Sequence, residues 1–465
     1  MATVQGVVAA VSSWLWGPPL LVLLMGTHLF LTFRLRFIQR YLWTALRLSV
    51  ARDHSAKGDV SQFGALSTAL AATIGTGNIV GVATAISLGG PGAVLWMWLT
   101  GVFGIATKYA EALLSVKYRV CTSDGTMLGG PMYVLERGLK QRWLGVFFCV
   151  AAAIAAFGIG NMVQANSVST LTHDVFGVAP WKSGLVMTLI TAVVMIGGVR
   201  WIASVCTFLV PFMAFFYVGG CAVILAINHA FLGQTLALIF RDAFTARAAG
   251  GGFVGATLLM AMRYGVARGL FSNESGLGSA PIVAAAAQTR NPVRQALVSS
   301  TGTFWDTVVI CAMTGLVLVS TIVRDPAVYD GLQGAQLTRA AFGHIPVVGP
   351  AVLTVGLITF VFSTILGWSY YGERSVEYLV GKRGIKPYRL LWVGAVFVGS
   401  VVSLPLVWDF ADAMNALMAL PNILSLWMLS GVAVAETRKY LWDGNLDADA
   451  EVAPAASRPS GPPAA

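Results

Sequence analysis

The sequence predicts an all-α membrane protein of about eleven transmembrane helices, one N-terminal helix followed by two five-helix halves of inverted orientation. Three observations carry that prediction. Of 465 residues, 57% are hydrophobic and 11% charged, with a mean hydropathy of +0.75, more apolar surface than a water-soluble fold can hide. The apolar residues fall into runs of about 20, the length that spans a hydrocarbon core of about 30 Å. Two runs are broken near their middle by glycine-rich polar patches, at Gly75, Thr76, Gly77, Asn78 and at Ser272, Asn273, Glu274, Ser275, Gly276.

The first run, 13–33, has no basic residue before it and Arg34, Arg36, Arg40, Arg47, Arg52 and Lys57 after it. A secretory signal carries its positive charge in front, so this reads as a retained helix with its N-terminus outside. Hydropathy places further spans at 62–86, 92–118, 143–171, 183–199, 202–228, 252–284, 294–322, 347–378, 388–405 and 410–437. The loops test this count. One set carries Lys117, Arg119, Arg137, Lys140, Arg142, Arg200, Arg290, Arg294, Arg374, Lys382, Arg383, Lys386 and Arg389; the opposite set is mixed, with Asp174, Lys182, Arg241, Arg247, Arg324, Asp325, Asp330, Asp409 and Asp412. The basic side is expected to be cytoplasmic, in a prokaryotic inner membrane, and the C-terminus with Arg438 and Lys439 falls on it.

With the first helix (1–40) set aside, ten spans remain, in halves 58–230 and 250–440, and the broken ones stand first and sixth among them. Two five-helix units joined in series have opposite membrane orientations, the inverted-repeat plan of many secondary transporters, with the site at the matched interruptions. Residues 443–465, acidic and then rich in Pro and Ala, are expected to form a disordered cytoplasmic tail.

Several function classes are excluded. The net charge of +10 is dispersed between apolar runs, with no basic face interleaved with aromatics, so nucleic acid is not the partner. The five cysteines are scattered without close pairs and the five histidines lack ligand spacing, so neither a disulfide framework nor a transition-metal site is expected, nor an organic cofactor. No His lies in the polar patches, and Gly367, Trp368, Ser369 lacks the second glycine of a nucleophile elbow, so an enzyme is not expected. Rings of like charge expected of a channel filter are absent from the sequence pattern.

In lipid every peptide group must find a partner, so irregular backbone at membrane depth lines a polar cavity or is buried in protein. The glycines of the first break let the backbone leave the helical region. Amides of the outgoing half-helix can cradle a carboxylate, and carbonyls left unpaired in the incoming half can coordinate sodium, a hard cation that favours oxygen. A small-residue face for close packing, using Gly77 and Gly81, is the alternative. In the second break Ser272 and Asn273 offer hydrogen bonds to a ligand and Phe271 a wall. Glu274 would attract a cation, carry a proton, or pair with Arg263, Arg268 or Lys108. Gln164, on a helix that also carries Asn161, Asn166 and Ser167, would bridge a ligand to the breaks or join helices as amide glue. Phe360, Thr364 and Trp368 recur at four-residue spacing, with Ser363 beside them. The two hydroxyls supply oxygens for sodium or bond back to their own helix, and Trp368 would cap a small side chain. Lys108, Glu111, Glu373 and Arg374 are expected to snorkel or pair near cytoplasmic ends. Asp306, deeper, has no assigned role.

Four motifs in order carry a resemblance over nearly the whole chain: Gly75 to Ala83 followed by Gly89 to Ala93; Gln164, Ala165, Asn166, Ser167; Phe271 to Pro281; and Ser363 to Glu373. They resemble the alanine or glycine:cation symporter family. The resemblance implies the leucine-transporter fold with one extra N-terminal helix, and sodium-coupled uptake of alanine or glycine; a monomer is expected to be the working unit. It would put the substrate carboxylate against Gly75, Thr76 and Gly77, and the amine near Gln164 and the second break. Phe271, Asn273 and Trp368 would bound a small pocket. Sodium would lie among the carbonyls of Ala71, Ile74 and Phe360 and the hydroxyls of Ser363 and Thr364. The family usually has Ala where this chain has Ser275. A proton-coupled carrier using Glu274 is the rival reading.

Overall fold

The computed structural model describes residues 2–51, 58–245, 258–329, 331–332, 334–402 and 405–450. Helices α1 (Ala2–Leu15) and α2 (Pro18–Arg34) run as one 30-residue span, Gln5–Arg34, and a short helix α3 (Leu42–Val50) follows. The first broken span is α4 (Gln62–Thr73) and α5 (Gly77–Gly89), bent by 55°. It starts where the Ser61 hydroxyl accepts the Gly64 amide at 3.0 Å, satisfying one of the orphan donors of a helix start. It breaks where Ile74 adopts extended backbone.

Next come α6 (Ala93–Lys117), a hairpin of β1 (Val120–Cys121) and β2 (Met127–Leu128), and α7 (Arg142–Phe176), which Gly177 closes in the left-handed conformation at φ 66°. Helices α8 (Pro180–Ile196) and α9 (Gly198–Ile227) complete the first half. A short amphipathic helix α10 (Leu232–Asp242) leads to the second broken span, α11 (Leu258–Asn273) and the single turn α12 (Pro281–Ala284). Between them Glu274, Gly276 and Gly278 hold positive φ of 54°, 91° and 85°. Helix α13 (Pro292–Arg324) begins at an Asn291 cap with Pro292 in its first turn, followed by α14 (Gly334–Gly343), α15 (Val348–Val380), α16 (Ile385–Val401), α17 (Pro405–Met428) and α18 (Ser430–Trp442).

Among the described residues five helices are long and apolar enough to cross a bilayer, and two bent pairs qualify when each counts as one span. Helices α6, α8, α11 with α12, and α16 lie where the sequence places the remaining spans. Ile196, Phe208 and Phe215, at 82%, 78% and 84% exposure, show the outward apolar surface expected of a lipid-facing belt. Polar groups are instead drawn inward, around the two breaks. The helix α2 backs the second break, with Leu24 and His28 against Gly276.

The structure departs from the sequence reading in several places. The span expected at 410–437 runs from 405 to 428 and then bends by 57° into α18, where Glu436 pairs with Lys117 at 2.5 Å. Residues 252–257 of the sixth span lie outside the described residues, as do 451–465 of the expected disordered tail. Residues 443–450 are docked: the Asn291 side chain donates to the Leu446 and Ala448 carbonyls at 2.8 and 2.9 Å, and Arg294 pairs with Asp447. The amphipathic α10 and α14 were not anticipated, their apolar faces being too short to register in a span-length window.

Candidate functional site

Three wide π-helical turns, Gly77–Gly81, Gly158–Met162 and Phe304–Cys311, surround the centre of the bundle. Such turns rotate side chains out of the regular helical register and recur at functional sites. The third presents Asp306, fully buried. Asn78 donates to its Oδ1 at 2.7 Å and Ser272 and Thr307 donate to its Oδ2 at 2.9 and 2.7 Å. Asn78 Oδ1 in turn accepts the Gly75 amide at 2.8 Å. One carboxylate therefore ties the first break to the second.

On the other side of the first break, α15 approaches the free end of α4. Ser363 Oγ lies 2.8 Å from the Phe360 carbonyl and 3.3 Å from that of Ala71. Thr364 Oγ1 lies 2.9 Å from the Phe360 carbonyl and 3.1 Å from that of Ile74. The Ile74 carbonyl is available because the helix ends there. The bond back to their own helix, foreseen as the alternative for these hydroxyls, coexists with contacts to the broken helix. Five neutral oxygens, from residues at most 2% exposed, thus converge, a donor set suited to a hard monovalent cation.

A cavity of about 300 Å³ descends beside the two breaks. Exposed Ala335 and Arg339 stand at its mouth, and Thr76, Gly77 and Phe271 line its depth. Of the residues expected to bind substrate, these last three lie on its wall. Gln164 is one contact deeper, donating to Thr76 Oγ1 at 3.3 Å and to the Ile159 carbonyl at 2.9 Å, while its Oε1 has no hydrogen-bond partner. Gly75, Ser272, Asn273 and Trp368 are not on the wall. Ser272 serves Asp306; Asn273 accepts the Ser275 amide at 2.9 Å and donates to Thr100 at 3.3 Å. Trp368 packs so tightly on Gly160 that a Cβ there would come within 2.3 Å of it, and its indole N–H donates to Glu274 Oε1 at 3.1 Å.

The opposite end of the bundle is shut. Asp59 and Gln288 amides donate to the Ala286 and Val60 carbonyls, each at 2.8 Å, clasping the outer ends of the two broken spans. Arg119 caps the carbonyls of Ala285 and Ala287 at 3.1 and 2.9 Å.

The ionisable groups correct several expectations. Glu274 forms no ion pair with Arg263, Arg268 or Lys108; Ser279 and Trp368 donate to its carboxylate. Lys108 and Glu111 do not snorkel: they are 3% and 2% exposed, because the second break packs over that part of α6. Glu111 Oε1 accepts the Gly276 and Gly278 amides, each at 3.1 Å, and the Asn422 side chain at 2.7 Å. Glu373 and Arg374 do pair, at 3.0 Å, with Arg389 joining Glu373 at 2.6 Å. Asn161 and Asn166 act as glue to the Trp392 and Gly399 carbonyls at 2.9 and 3.2 Å. Sequence reasoning missed the roles of Asp306 and Glu111; the available signal was a carboxylate within an apolar span, which is costly unless it is used.

A family model described as "Sodium:alanine symporter family" matches residues 1–453. The chain is 51% identical to "Sodium/alanine symporter AgcS" of Methanococcus maripaludis, over 93% of this chain and 96% of that protein. It is 36% identical to "Probable sodium/glutamine symporter GlnT" of Bacillus subtilis, over 94% and 90% of the two chains. Among solved structures, the transporter MhsT in complex with L-phenylalanine superposes with a TM-score of 0.54 at 14% identity, covering 82% of this chain and 98% of that one. A manganese transporter of Eremococcus coleocola gives 0.51 at 12% identity, over 82% of each chain. At such identities the two structures speak to the fold alone.

Proposed function

The chain belongs to the sodium:alanine symporter family, and from the geometry of its two breaks we propose how it performs sodium-coupled symport of a small neutral amino acid. It is a multi-pass membrane transporter of the leucine-transporter type. The observation that carries the reading is the convergence of the Ala71, Ile74 and Phe360 carbonyls with the Ser363 and Thr364 hydroxyls. Sodium bound there draws the end of α4 onto α15 and fixes the geometry of the adjoining break.

The amino acid enters the cavity and sets its carboxylate against the Gly75, Thr76 and Gly77 segment, reaching Thr76 and Gly77 at the positive end of the α5 dipole, while the Gly75 amide behind them is held by Asn78 Oδ1. Its ammonium faces the free Oε1 of Gln164 and the second break. Phe271 limits the room for a side chain. Ser272, Asn273 and Trp368 act by holding the second break in shape rather than from the cavity wall. Because sodium and substrate stabilise two sides of one break, each binds better in the other's presence, by a reciprocal free energy.

The cavity mouth is assigned to the outside and the clasped end, with the basic loops, to the cytoplasm. This gives an outside N-terminus and a cytoplasmic C-terminus. The halves 58–230 and 250–440 then rock about the site so that access alternates. A membrane potential adds about 2.3 kcal/mol per charge per 100 mV, so one inward-moving sodium concentrates a neutral zwitterion. The site is built from one chain, and a monomer in lipid suffices for it. Counterflow of labelled alanine and glycine in proteoliposomes, with sodium or with potassium replacing it, tests the reading. Exchange that proceeds equally well in potassium would refute it.

A further inference from the structure

We propose that Lys108 is a built-in cation for the second break, filling by covalent attachment the kind of place that sodium fills at the first. It lies on α6 between two residues that both touch the unwound segment. Four positions earlier, a Cβ on Gly104 would meet Ser275 Oγ at 2.9 Å. Three positions later, Glu111 accepts the amides of Gly276 and Gly278. Residues at these spacings share one helix face, so Lys108 is directed at the same segment.

The ammonium is 3% exposed and its Nζ has no hydrogen-bond partner. Glu111 Oε2, equally buried, has none either. Glu274 and Asp306, in and beside the same break, are buried carboxylates too. Asp306 and Glu274 receive only neutral donors from their surroundings: Asn78, Ser272 and Thr307 for one, Ser279 and Trp368 for the other. Three buried carboxylates therefore lie in and beside the second break, and the one ammonium on the helix face of Glu111 is hydrogen-bonded to none of them. Ionised groups in a bundle interior are strongly destabilising without a counter-charge. Lys108 supplies one such charge without an ion from solution.

The two breaks are thus stabilised differently. The first gathers neutral oxygens and borrows its cation from solution; the second gathers carboxylates and carries its own. Resting on the sodium reading above, the consequence is one coupling sodium per cycle. Neutralising Lys108 vacates the acidic cage and creates a place for a second sodium.

The test compares wild type, Lys108→Arg, Lys108→Gln and Lys108→Gln/Glu111→Gln in proteoliposomes, reading both the sodium order of alanine uptake and the radioactive sodium bound per chain. Wild type and Lys108→Arg should show an order of about 1, and Lys108→Gln an order approaching about 2 with one extra sodium bound. The double variant, with one fewer carboxylate in the cage, should return to about 1. If Lys108→Gln does not accumulate, rescue of folded yield by the added Glu111→Gln supports the pairing and absence of rescue overturns it. Lys108→Gln that folds, transports and binds sodium as wild type does would also overturn it. A wild type indifferent to sodium would refute the coupling reading alone; this inference would then stand or fall on the extra sodium bound by Lys108→Gln.

Discussion

Thr364→Ala removes one oxygen from the candidate sodium site and nothing from the cavity wall. The lost hydroxyl lies 3.1 Å from the Ile74 carbonyl and 2.9 Å from that of Phe360. Deleting one partner in a buried polar cluster costs about 1–3 kcal/mol. Applied to the sodium-bound state, that corresponds to a rise of roughly 5- to 150-fold in the sodium concentration for half-maximal uptake. The alanine KM, measured at saturating sodium, should stay within about twofold, because the variant removes ion binding and not the substrate's own contacts. Thr364→Ser keeps the oxygen and should remain within about threefold of wild type for sodium. The assay is initial-rate uptake of labelled alanine into proteoliposomes across a sodium titration. A Thr364→Ala protein that folds normally and keeps wild-type sodium activation would remove Thr364 from the ion site.

Three further outcomes follow from the geometry. Gly75→Ala brings a Cβ within 2.6 Å of Thr364 Oγ1, so it should displace that hydroxyl and weaken sodium activation, with little additional effect in a Thr364→Ala background. Asp306→Asn turns an amide donor toward the donors from Asn78 or from Ser272 and Thr307, and should lower stability by about 1–3 kcal/mol, read as a fall in Tm in detergent; an unchanged Tm would deny that Asp306 ties the breaks. Lys382 and Thr122 hold the exposed Asp124 carboxyl below the usual carboxylate range, so its contribution is present above the unfolded value of about 3.9 and is lost as pH falls through the folded value. Wild type and Asp124→Asn should accordingly differ slightly in Tm at neutral pH and converge in acid.

The breaks were legible because glycines and small polar residues inside an apolar run have no stable place facing lipid, wherever the rest of the fold lies. The oxygen cluster was legible for a related reason: Phe360 and Thr364 share a face of one helix, and the resemblance supplied Ala71 and Ile74. What escaped depends on contacts distant in the chain. Asn78 and Asp306 are 228 residues apart, and no periodicity announces their bond. Lys108 and Glu111 were misplaced because hydropathy reports position along a helix and not what packs over it. Trp368 was expected at the substrate; its ring lies instead against Gly160, and its N–H on a carboxylate of the opposite break, a choice made by close packing that composition does not encode.

The contact of Leu24 and His28 with Gly276 gives the opening helix a task beyond crossing the membrane. Strip it away, and the irregular backbone and left-handed glycines of residues 274–280 would meet acyl tails along one flank, where nothing can solvate them. It is a cork, and a carrier pruned to its ten-helix engine would leak structure at that seam before it lost any part of the cargo chamber.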